Sequence, residues 1–118
     1  MSIGQVMIHV STLETAKKFY VDILGLSIKS DLSSELGMWV LDNDGCFFTV
    51  HEGFSVNPTE WSSCKTAIIL KVKDVKKSKE HLLRSGVELK GKIIETPVYS
   101  YQALKDFDGN WIEIAQFK

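Results

Sequence analysis

The chain has 118 residues, 44% hydrophobic and 25% charged, with 14 Lys and Arg against 15 Asp and Glu for a net charge of −1. This is the composition of one ordinary globular domain, able to bury about two-thirds of the surface its unfolded chain exposes. Its balanced charge provides no field to gather nucleic acid or anionic lipid.

The N-terminal MSIGQVMIHV lacks a basic region followed by a long apolar core, and no apolar run approaches the roughly 20 residues that span a bilayer. Within it, residues 5–10 alternate: Val6, Ile8 and Val10 on one face, Gln5, Met7 and His9 on the other. That alternation predicts a strand. Ser11 and Glu14 then have the spacing of a capping box, so a helix is expected to start there. Leu13, Ala16, Phe19, Tyr20, Ile23 and Leu24 fall on one helical stripe, and Gly25 follows as a C-terminal glycine. Further strands are expected at 26–29, 38–41 and 46–51, with DNDG (42–45) as the turn before the last.

GFSVNPTEWSSC (53–64) has the Gly, Asn, Pro and Ser content of a linker. Cys64 within it and Cys46 before it form no CxxC pair, so free thiols and a reducing cytoplasm are expected. The pattern then restarts: a strand at 66–72, a helix at 75–85, Gly86, and strands at 87–89, 101–105 and 111–116, with DFDG (106–109) as the matching turn. The Lys-rich run from Val72 to Lys79 reads as the solvated face of that helix. Val10 aligns with Val72, Gly25 with Gly86 and Gly45 with Gly109, at offsets of 62, 61 and 64. Nearly constant spacing predicts two tandem copies of one unit: module one at 1–53, a linker at 54–64 and module two at 65–118.

The expected fold is therefore α+β: two βαβββ modules, each helix covering one sheet face, and a curved mixed sheet around a concave pocket. Strand parity assigns the side chains. Ile112 and Ile114 should pack on the helix, which turns Glu113 the other way. A buried, unpaired carboxylate costs several kcal/mol or shifts its pKa, so Glu113 should meet water, a partner or a ligand.

HVSTLETAKKFYVDILGL (9–26) together with DFDGNWIEI (106–114) resembles the glyoxalase/bleomycin-resistance/dioxygenase group, the vicinal oxygen chelate superfamily. The resemblance covers both modules and implies a glyoxalase-like fold. In metal-using members, ligands come from the first and last strands of each module. The matching positions here are Gln5, Thr49, Ala67 and Glu113. Gln5 and Glu113 are plausible ligands; Thr49 is a poor one and Ala67 none. A catalytic divalent site wants three or four donors with one position open, so no tightly bound cofactor is expected; any divalent metal would rest on Gln5 and Glu113. Fosfomycin-resistance and extradiol-dioxygenase chemistry would each need a ligand at Ala67. His9 and His51 share the strand faces of Gln5 and Thr49, displaced along them, and read as rim histidines; the first stands where glyoxalase I carries an arginine. Lys71 holds the corresponding place in module two.

The expected ligand site is Gln5, His9, Phe47, Thr49, His51, Lys71, Tyr99, Tyr101 and Trp111, with Trp39 and Trp61 reaching the rim. Such a lining suits a planar or cationic small molecule. Glu113 is the candidate catalytic residue, as a general base. Phe48 and Val50 are assigned to the core with Cys46, and His81 to solvent. The resemblance implies a homodimeric small-molecule-binding protein, sequestering or conferring resistance, with a glyoxalase-like lyase or isomerase as the alternative. Neither nucleic acid nor membrane is an expected partner.

Overall fold

The computed structural model describes residues 1–42, 47–53 and 66–118. All of the expected DNDG turn but Asp42, together with Cys46, Trp61, Cys64 and the whole linker at 54–64, lies outside those residues. The chain divides into two compact units, Met1–Val56 and Asn57–Lys118.

In the first unit, β1 (Gln5–Val10) leads to a short helix α1 (Leu13–Ala16) that continues as a π-helical stretch, Lys17–Ile23. Then come β2 (Ile28–Leu32), a single helical turn α2 (Ser33–Leu36), β3 (Met38–Leu41) and β4 (Phe47–Glu52). The second unit runs β5 (Ile68–Lys71), α3 (Val75–Arg84), β6 (Leu89–Glu95), β7 (Tyr99–Lys105) and β8 (Trp111–Phe117). The strand orders are β1-β4-β3-β2 and β5-β8-β7-β6. In each sheet the first strand runs parallel to the last and the remaining pairs are antiparallel. Identical topology in the two halves is the structural form of the sequence repeat.

Several boundaries differ from expectation. Thr12, not Ser11, caps α1: its side chain accepts the Thr15 amide at 3.1 Å. Strand β2 begins two residues later than expected, and β6 extends from Leu89 to Glu95 rather than ending at Leu89. Both end a sheet and both are interrupted, with register shifts between Ile28 and Ser30 and between Lys90 and Ile94. In β6 the irregularity centres on Gly91, whose φ of +62° a side chain would strain. Gln102, fully buried on β7, holds this bulge: its amide nitrogen donates to the carbonyls of Lys90 (2.9 Å), Gly91 (3.2 Å) and Ala103 (3.0 Å).

The two cores follow strand parity. Val10, Phe19, Tyr20, Leu41, Phe48 and Val50 are buried in the first unit, with the Tyr20 ring edge-on to Phe48 at 5.7 Å. In the second, Val75, Leu82, Leu104, Ile112 and Ile114 are buried, and α3 packs on β7 and β8. Trp39 belongs to the first core and does not reach a rim. It is only 7% exposed and pairs with Val50, which places it on the helix-covered face. His81 and the helix lysines 76 and 77 are exposed, as expected of a solvated helix face; Lys73 is exposed too but precedes the helix.

Candidate functional site

In the second unit, register fixes which side chains share the face turned away from α3. Glu113 lies between Ile69 on β5 and Ala103 on β7. Along the same face β8 contributes Trp111, Ala115 and Phe117, opposite Lys105, Tyr101 and Tyr99 respectively. Lys71 is paired with Ala115 from the other side.

The aromatic residues form a connected run. Tyr101 meets Tyr99 at 5.5 Å, Tyr99 stacks on Phe117 at 5.1 Å with 28° between planes, and the Lys71 ammonium lies 5.1 Å from the Phe117 centroid. Each such contact contributes about 0.5–1.5 kcal/mol beyond area burial. At the other end of β8, the Lys90 ammonium lies 4.9 Å from the centre of the Trp111 ring. Sequence reasoning placed Lys71, Tyr99, Tyr101, Trp111 and Glu113 here but missed Phe117 and Lys90. Phe117 is signalled by the continued alternation Trp111, Glu113, Ala115, Phe117, one residue beyond the expected strand end.

Glu113 is half-buried, and its cross-strand neighbours Ile69 and Ala103 provide no charge to compensate. Burial therefore pushes its carboxyl above the usual range, and the neighbouring Trp111 side chain opposes this only partly.

The first-unit candidates gather on the corresponding face of β1 and β4. Gln5 pairs with Phe47, and His9 with His51. Phe47 is half-exposed, with the Lys29 ammonium 5.3 Å from its ring centre. The His9 and His51 rings meet edge-on at 5.9 Å. His51 Nε2 is 2.9 Å from the Leu36 carbonyl at the end of α2, so that turn holds its ring. Thr49 is fully buried and its hydroxyl points to the Val6 carbonyl at 3.4 Å. The first-unit residues thus share one face of one sheet, while Lys71, Tyr99, Tyr101, Trp111 and Glu113 share one face of the other.

The four positions that the resemblance implies for metal ligands are divided between the two units, Gln5 and Thr49 in the first and Ala67 and Glu113 in the second. Ala67 has no donor, the Thr49 hydroxyl is committed to backbone, and only Gln5 and Glu113 remain of the four positions. Among the described residues no group of three or more His, Cys, Asp or Glu could hold a metal. The DFDG segment is a turn rather than a calcium loop. Asp106 Oδ1 accepts the amides of Asp108 (2.9 Å) and Asn110 (2.8 Å), and Oδ2 accepts the Asn110 side-chain amide at 2.8 Å. A cavity of about 440 Å³ lies beside this turn, lined by residues that include Glu88, Lys105, Asp106 and Asp108; none of the expected site residues lines it. No helix among the described residues is long and apolar enough to cross a membrane.

The model of the Glyoxalase/Bleomycin resistance protein/Dioxygenase superfamily matches residues 2–114, and the chain belongs to that superfamily. No curated protein sequence matches it. Among solved structures, the antibiotic binding protein TnmS3 from Streptomyces sp. CB03234 is 24% identical, with a TM-score of 0.77 over 100% of this chain and 97% of that one. The genomically encoded fosfomycin resistance protein FosX from Listeria monocytogenes is 16% identical, with a TM-score of 0.77 over 100% and 94%. A glyoxalase/bleomycin resistance protein/dioxygenase family enzyme from Burkholderia phytofirmans PsJN is 17% identical, with a TM-score of 0.76 over 98% of each chain. At these identities the likeness is one of fold.

Proposed function

We propose that this superfamily member binds a small planar molecule on the second sheet, without a tightly held metal, as a cytoplasmic homodimer that sequesters its ligand or confers resistance to it. The observation that carries this reading is the run Tyr101–Tyr99–Phe117–Lys71 on the same sheet face as Glu113. An aromatic wall of that kind offers stacking energy to a flat ligand. The likeness to a Streptomyces antibiotic binding protein supports the same reading. The test is titration of the protein with planar aromatic probes, followed by intrinsic fluorescence, before and after Tyr99→Ala. Binding that weakens in the variant and survives dialysis against EDTA is expected. A stoichiometric transition metal in the purified protein, or affinity lost on chelation, would reject metal independence. A monomer mass in sedimentation equilibrium would reject the homodimer.

The second reading is a glyoxalase-like lyase or isomerase, favoured by the upward-shifted carboxyl of Glu113, which suits a general base. It requires that Glu113→Gln abolish turnover while the fold is retained. Full activity in that variant would remove Glu113 from the chemistry.

A further inference from the structure

The lining alone suits a cationic ligand as well as any planar one, but the charges on the second sheet point elsewhere. Two ammonium groups on this face lie over rings, Lys71 over Phe117 and Lys90 over Trp111, while a third, that of Lys105, is paired with Glu88 at 3.8 Å. The first two flank one carboxylate, that of Glu113, which sits between Ile69 and Ala103. Lys71 makes no ion pair among the described residues and is solvent-exposed, so its charge is open to a ligand. Phe117, beside that charge, is 44% exposed. A cationic ligand stacked on Phe117 would meet the Lys71 ammonium at close range, where like charges repel. An anion there would instead gain a charge-assisted contact.

We infer that this face selects planar aromatic molecules bearing an acidic group, the ring stacking on the Tyr99–Phe117 pair and the carboxylate or ionised phenol meeting Lys71. Lys90 adds a second positive charge at the far end of β8, which raises the potential for anions over the whole face. The ligand class thus rests on the binding reading above and narrows it. The same geometry disfavours the cationic ligands that an aromatic wall with a single carboxylate would otherwise attract.

The test compares two probes of similar shape and opposite charge, 1-hydroxy-2-naphthoate and 2-naphthylmethylammonium, by fluorescence titration at low and high salt. The naphthoate is expected to bind at least about tenfold more tightly, with the difference shrinking as salt rises. Lys71→Met, which keeps most of the stem and removes the charge, should weaken naphthoate binding and shrink that difference. Equal or tighter binding of the cation overturns the inference and leaves planar-ligand binding standing. So does a naphthoate affinity that Lys71→Met does not alter. If neither probe binds the folded protein, both readings fall together.

Discussion

Gln116 accepts the backbone N–H of Val75 at 3.0 Å, and at the same distance Glu52 accepts that of Leu13. In each unit the last strand thus reaches back to the first amide of the helix, satisfying a donor that the helix itself leaves open. The N-caps repeat as well: Thr12 accepts from Thr15, and Asp74 from Lys77, both at 3.1 Å. Removing one tether should cost about 1 kcal/mol, as should removing a cap. Urea denaturation of Gln116→Ala and Asp74→Ala is expected to show losses of that size. An unchanged midpoint for Gln116→Ala would mean that water replaces the tether at no cost.

The stack of Phe117 on Tyr99 near the C-terminus contributes both to stability and to the proposed site. Phe117→Ala should weaken aromatic-probe binding by about five- to tenfold, the equivalent of one lost ring contact. Phe117→Tyr should retain most of it. Equal binding by the alanine and wild-type proteins would move the site off this strand.

Glu113 makes stability depend on pH. Its folded carboxyl titrates above the unfolded value because burial disfavours the charged form. Between the two pKa values the folded protein holds the extra proton, so stability falls as pH rises through that window. Glu113→Gln removes the penalty. The variant should gain stability over wild type at pH 7, and the gain should vanish below the unfolded carboxylate range. Thermal melts across pH 3.5–8 (about this span) would read the difference; a gain that persists unchanged at the acid end would contradict it.

The Gln102 clamp predicts a larger effect. Gln102→Met keeps the volume but strands the carbonyls of Lys90 and Gly91, so a loss of about 2 kcal/mol is expected. Gly91→Ala should cost about 1 kcal/mol through its left-handed backbone alone. Hydrogen exchange should show the losses concentrated on β6. A uniform effect across the chain would argue against a local clamp.

Parity and repetition were readable from residue order because they depend on only two periods. The alternation Ile112, Glu113, Ile114 placed the carboxylate opposite the core, and the offsets near 62 aligned two units that share one topology. Ser11 and Thr12 offer the same hydroxyl one residue apart, and only backbone geometry chooses between them. The π-helical stretch over Lys17–Ile23 is invisible to a stripe of apolar residues, because seven residues cannot separate its period from that of an α-helix. IKSDL and LKGKIIE lack clean alternation because they form sheet-ending strands, most of whose side chains are exposed, so their limits were misjudged. Trp39 was misassigned for a different reason: an isolated large aromatic carries no signal of which face it occupies until its partner, Val50, is known.

The interruptions in β2 and β6 also bear on self-association. A regular, flat outer strand invites a neighbouring molecule to continue the hydrogen-bond ladder, the first step toward fibrils. Here both strands are kinked, and they carry Lys29 and Asp31 on one, Lys90, Lys92 and Glu95 on the other. The exposed Ile94 therefore sits on a border to which another molecule's strand is poorly able to zip.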